Sequence, residues 1–149
     1  MEESLTYLKE QFELPDVDVK SYSPLVLAYI GDGIYELVIR TAVVSQGNRQ
    51  ANALHKKTST YVKASAQAAM MEAILEDLTE EELAVYKRGR NAKTVSMAKH
   101  ATMHDYRHAT GFEALMGYLY LILQRACEKF PRGAASGYPQ HHLSARSDG

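Results

Sequence analysis

The chain has 149 residues, 46% of them hydrophobic and 23% charged, and a formal net charge of −1. That length fits one domain able to bury roughly 68–70% of its unfolded surface, so its core needs no covalent staple. The balance of charge excludes a uniformly basic RNA-binding protein. The lone Cys127 excludes an internal disulfide or a cysteine-built metal site, which suits a reducing cytoplasm. No basic segment followed by an apolar run opens the chain, and no apolar stretch approaches the roughly 20 residues of a membrane span. Neither a signal peptide nor a membrane partner is therefore expected.

In chain order, residues 1–22 form an acidic N-terminal segment with no assigned element. Ser23-Pro24 then offers an N-cap and a first-turn proline. A long apolar helix should run from Leu25 to about Val44, closed by Gln46-Gly47-Asn48. From Asn48 or Arg49 to about Leu75 good helix formers dominate, with the Thr58-Ser59-Thr60 cluster expected to divide two helices. Thr79 and Glu82 have the spacing of a capping box opening the next helix. Gly89 and Asn91 should stop or turn it. Residues 95–102 read as a loop, and a last long helix should begin at Tyr106 or Thr110 and end near Phe130, before Pro131-Arg132-Gly133. Nothing alternates with period two, so strands have no support. The expected architecture is all-α: a catalytic domain over 23–130, followed by a disordered Gly/Ser/Pro/Ala-rich tail over 131–149.

Charge is segregated along the chain. Acids crowd into Glu2–Asp18 and into Glu72, Glu76, Asp77 and Glu80–Glu82, whereas Lys87, Arg88, Arg90, Lys93, Lys99 and Arg107 are opposed only by Asp105 in their stretch. A chain of near-zero net charge can still present one positive face to a phosphate backbone. Accidental clustering on a solvated surface explains the pattern equally well.

Two acids stand out against apolar surroundings. Asp32 lies between Gly31 and Gly33 in a helix expected to be mostly buried, with Glu36 one turn further on the same side. Glycine costs about 1 kcal/mol against alanine inside a helix, so it makes sense where another backbone or a ligand approaches closely. Glu113 is the only acid between Asp105 and Glu128, and Gly117 one turn later again leaves room. Each acid alone could be satisfied in the core by Arg, Tyr or backbone donors. Taken together, two nearly buried carboxylates are reconciled by a divalent cation, and a sulfur-free oxygen set with retained waters favours Mg2+ or Mn2+. His55, His100, His104 and His108 could touch phosphate or serve as surface or capping groups. His141-His142 lie in the expected tail, and the ten tyrosines read mostly as core and interface.

Leu27-Ala28-Tyr29-Ile30-Gly31-Asp32-Gly33-Ile34-Tyr35-Glu36-Leu37 resembles the signature helix of ribonuclease III domains, and Phe112-Glu113-Ala114-Leu115-Met116-Gly117 resembles the family's second acidic motif. Leu54-His55-Lys56-Lys57, Lys87-Arg88-Gly89-Arg90-Asn91-Ala92-Lys93 and Tyr106-Arg107 look like Mini-III, the subfamily without an RNA-binding appendage. The resemblance spans roughly Pro24 to Leu123. It implies a ribonuclease III-type helical bundle that forms a homodimer, with Asp32 and Glu113 as catalytic metal ligands. It also implies cleavage of double-stranded RNA during maturation of the large-subunit (23S) ribosomal RNA precursor, and it admits ribosomal proteins as further partners. The expected products carry 5′-phosphate and 3′-hydroxyl ends. RNA contacts fall first to Arg88, Arg90, Asn91 and Lys93, and second to His55, Lys56 and Lys57. Where larger relatives carry further acids, this chain has Leu25, Ala28 and Thr110, which suggests more water on the metal. Gly33 stands where Ala is usual. A non-enzymatic RNA-binding protein, a helical adaptor and a DNA-directed nuclease are the competing readings.

Overall fold

The computed structural model describes residues 2–93 and 101–129, and among these every regular element is helical. Helix α1 spans Glu2–Gln11, within the segment to which the sequence assigns no element. A 3-10 turn at Val19–Ser21 follows, capped by Asp18, whose carboxylate accepts from Lys20 N at 3.2 Å. Val19 is buried with Leu27, Ala28, Val85, Ala114 and Tyr118, so the segment before Pro24 contributes to the core.

Helix α2 spans Pro24–Val44 and opens as its sequence dictates, with Ser23 Oγ accepting from Val26 N and proline in the first turn. The turn after it passes through Gly47 at φ +127°, a conformation that side chains with a Cβ rarely adopt. Helices α3 (Ala51–Val62) and α4 (Ala64–Ile74) divide at Lys63, not at Thr58-Ser59-Thr60. The hydroxyl cluster does not break the helix because it bonds inside it. Ser59 Oγ donates to His55 O at 2.9 Å and Thr60 Oγ1 to Lys56 O at 3.2 Å. Lys63 is extended, and the carbonyls freed at the end of α3 find tertiary donors. Tyr61 O accepts from Tyr35 Oη at 2.9 Å, and Val62 O from Gln67 Nε2 at 3.1 Å.

A 3-10 turn (Leu75–Asp77) leads to α5, Glu80–Asn91, where both halves of the Thr79–Glu82 capping box form. Gly89 does not stop this helix. It lies buried against α6, where an added Cβ would meet Ala114 Cβ at 2.7 Å and Gly111 Cα at 3.0 Å. Helix α6, Met103–Lys129, begins earlier than its sequence suggests and forms the axis that α2, α4 and α5 pack around. The expected loop over 95–102 falls mainly on residues outside the described ones, and the expected tail over 131–149 falls wholly outside them. A second core cluster joins Tyr35, Met71, Tyr86, Phe112 and Leu115, with the Tyr35 and Phe112 rings edge-to-face at 5.0 Å. No helix among the described residues is long and apolar enough to cross a membrane.

Candidate active site

The crossing of α2 over α6 is set by two glycines. A Cβ on Gly31 would stand 1.7 Å from Glu113 O, and one on Gly117 would stand 2.0 Å from Leu27 O. Backbone therefore lies directly on backbone, which brings the residue after Gly31 beside the acid on α6. Gly33 plays no such part: nothing lies within 4 Å of its would-be Cβ. Of the two glycines flanking Asp32, only one is required by close approach.

The same crossing brings Asp32 and Glu113 into electrostatic contact. Burial first, and the Asp32 charge second, push the Glu113 carboxyl up to about 7, opposed by a hydrogen bond with the Gln67 side chain. Asp32 is raised too, by burial and then by Glu36. Asp32 is nonetheless exposed, which corrects the expectation of two nearly buried acids. The reason is that α2 carries apolar residues on more than one side yet buries only one of them within the chain. Leu27, Ala28, Gly31 and Tyr35 face inward, while Leu25, Val26, Tyr29, Leu37 and Val38 remain exposed. Glu36 is held by Arg40, whose Nη2 donates to Glu36 Oε1 at 2.7 Å, one helical turn away.

Gln67 of α4 carries no signal in the sequence. Its side chain is 2% exposed, its Nε2 donates to Val62 O, and its Oε1 is buried with no partner among the described residues. Only the folded packing of α4 on α6 reveals it, since a glutamine among alanines and methionines reads as ordinary helix. A repelling carboxylate pair beside an orphaned buried acceptor is the environment that a hydrated hard cation satisfies, so the donor set fits Mg2+ or Mn2+. Thr110 Oγ1 donates to Tyr106 O at 2.9 Å, and Ala28 carries no polar side-chain atom, so neither adds an acidic ligand to the pair.

The basic candidates occupy two elements. Arg88 and Asn91, at the end of α5, and Lys93 just beyond it are exposed, as are His55 and Lys56 on α3. Arg90 is partly buried, with its guanidinium 5.7 Å from the Tyr86 ring centre and its Nε donating to Asn91 Oδ1 at 3.3 Å. Lys57 is also partly buried and donates to Gln46 Oε1, tying α3 to the turn after α2. A second cluster joins two of the histidines that the sequence offers as phosphate or surface groups to an acid that it does not single out. Glu72, His104 and His108 bring one ligating atom each within 4.8 Å of one another, and the i, i+4 spacing of the two histidines is its one local signal.

Residues 25–124 match the model of the ribonuclease III domain. The chain is 54% identical over 110 residues to the Mini-ribonuclease 3 of Enterococcus faecalis, covering 72% of this chain and 83% of that one. It is 50% identical over 117 residues to the Mini-ribonuclease 3 of Clostridium tetani, covering 78% and 76% respectively. Among solved structures, protein FN1578 from Fusobacterium nucleatum superposes with a TM-score of 0.66 at 33% identity, covering 74% of this chain and 85% of that one.

Proposed function

The chain belongs to the Mini-ribonuclease 3 family of ribonuclease III-type endoribonucleases, and from that premise we propose that it hydrolyses double-stranded RNA with Mg2+, or Mn2+ in its place, held by Asp32 and Glu113. The observation that carries this reading is the Asp32 charge bearing on the half-buried Glu113 carboxyl at a crossing where Gly31 and Gly117 leave no room for a side chain between the helices. When bound, the cation supplies Lewis acidity to water and to the scissile phosphate. The protein's own part is to hold Glu113 half-shielded from solvent, orient its carboxylate through Gln67, and present Asp32 at the open side.

Arg88, Arg90, Asn91 and Lys93, with His55, Lys56 and Lys57, are assigned to the RNA backbone. A-form duplex is read by shape through phosphates and 2′-hydroxyls, a task suited to exposed cations on rigid helices. Binding should weaken steeply with salt.

The outward stripe of α2 supports the homodimer. Val26, Tyr29 and Leu37 are 47%, 83% and 53% exposed, an amount of apolar helix surface that monomeric proteins seldom leave to water. A second copy of the chain covering this stripe would place two Asp32 side chains on one assembly, one for each RNA strand. The cellular task assigned is maturation of the 23S ribosomal RNA precursor in the bacterial cytoplasm.

The test is incubation of a precursor stem of large-subunit ribosomal RNA with the protein and Mg2+, followed by end-group analysis, with a generic duplex as control. Defined cuts bearing 5′-phosphate and 3′-hydroxyl ends support the reading. Binding of the stem without cleavage under Mg2+ or Mn2+ contradicts it.

A further inference from the structure

Helix α6 begins with two histidines one turn apart, His104 and His108, whose rings stack at 4.1 Å between centres and 29° between planes. Glu72, from the far half of α4, faces them: its Oε1 lies 4.0 Å from His104 Nε2. All three groups reach within 4.8 Å of one another. Three ligands around a tetrahedral ion at roughly 2.0–2.1 Å stand about 3.3 Å apart, so small side-chain rotations close the set.

What distinguishes the cluster from a chance surface grouping is the support behind the rings. His108 Nδ1 is hydrogen-bonded at 2.7 Å to the hydroxyl of Tyr86, which is 1% exposed and fixed in the core. His104 Nδ1 lies 3.4 Å from Asp105 Oδ1. Each Nδ1 thus has an oxygen partner, and in the tautomer in which Nδ1–H donates to that oxygen, Nε2 carries the lone pair that a metal ion needs. This is the orientation that outer-shell oxygens impose on metal-binding imidazoles. Burial, His104 and Arg90 also hold His108 below its ordinary value, keeping its ring neutral. Arg90 is the opposing positive charge near His108, offset by Glu72 and Asp105.

We propose that Glu72, His104 and His108 bind a single transition-metal ion of the Zn2+ class, on residues separate from the Asp32–Glu113 pair. Two imidazoles and one carboxylate form a borderline nitrogen–oxygen set that suits Zn2+ and not Mg2+, whereas Asp32 and Glu113 offer oxygen alone. Along α6, Glu113 lies roughly 7.5 Å beyond His108 and about 140° around the helix, so the two donor sets face different sides. The ion clamps α4 to α6, and α4 is the helix that brings Gln67 to Glu113. Its role is therefore structural, with the fourth position left to water.

The test is calorimetric titration of the chelator-stripped full chain with Zn2+, in millimolar Mg2+ to occupy the acidic pair, together with thermal unfolding. One Zn2+ per chain at micromolar affinity or tighter is expected, with a rise in Tm. His104→Ala and Glu72→Gln, both at exposed side chains, should weaken binding at least tenfold and abolish the Tm rise without unfolding the apo-protein. The His141→Ala/His142→Ala double variant should bind as the parent does. Absence of Zn2+ binding, or affinity unchanged in His104→Ala and Glu72→Gln, overturns the proposal. Loss confined to the His141→Ala/His142→Ala variant overturns it as well, by placing the ion in the tail.

Discussion

Helix α6 meets α2 and α4 in opposite ways. Against α2 it is glycine on backbone, with the closest would-be Cβ contacts at 1.7 and 2.0 Å, and the product is a pair of repelling carboxylates. Against α4 it is side chain on side chain: Met71 in the core, Gln67 reaching Glu113, and Glu72 reaching two histidines. The first junction fixes where the acids stand and tolerates no added atom. The second orients and supports them, and tolerates change at its rim.

The difference can be broken at the α2 junction most severely. Gly117→Ala and Gly31→Ala each drive a methyl into a carbonyl on a helix that cannot retreat. A destabilisation of about 4–5 kcal/mol or outright loss of folding is expected in denaturant unfolding. A well-folded Gly117→Ala protein would show that the helices can part, and the account of the crossing would fail.

A smaller effect concerns the acid that the crossing traps. Folded protein keeps the Glu113 proton up to about pH 7, whereas an unfolded glutamate releases it near 4.5. The folded state therefore binds more protons in that window, and stability falls as pH rises through it. Each tenfold change in proton affinity is worth about 1.4 kcal/mol. Without divalent cation, and with solvent screening allowed for, Glu113→Gln should be more stable than the parent by about 1–3 kcal/mol at pH 8. The advantage should vanish below about pH 4.5 and shrink on adding Mg2+. Equal stability across pH, read from urea midpoints, would show that Glu113 is not under electrostatic stress.

The smallest effect sharpens the contrast between the two glycines beside Asp32. Gly33 meets nothing within 4 Å, so Gly33→Ala should stabilise the helix by about 0.5–1 kcal/mol, measured by thermal unfolding. A loss instead would mean that a partner surface lies against Gly33, which bears on how closely a second copy would cover the α2 stripe in the proposed homodimer.

These junctions also mark what the sequence can reveal. The caps at Ser23 and Thr79, the turn at Gly47 and the pairing of Gly31 with Asp32 are local signals, and each appears in the fold as read. The exposure of Asp32 is not legible, because apolar residues on more than one side of a helix do not tell which side a single chain covers. The α3–α4 break departs from the hydroxyl cluster because Ser59 and Thr60 bond within the helix, and nothing local marks Lys63. Gln67 and Glu72 are invisible as site residues in the sequence. Their meaning lies entirely in the packing of α4 on α6, a contact between residues some 40 positions apart.

The most direct test of the central claim is cleavage of a long RNA duplex in Mg2+ and in EDTA, by the parent chain and by Asp32→Asn and Glu113→Gln variants shown to fold. Cleavage by the parent in Mg2+ alone is expected, with loss of at least two orders of magnitude in either variant and RNA binding retained. Full cleavage in EDTA, or by Asp32→Asn in Mg2+, would contradict that claim.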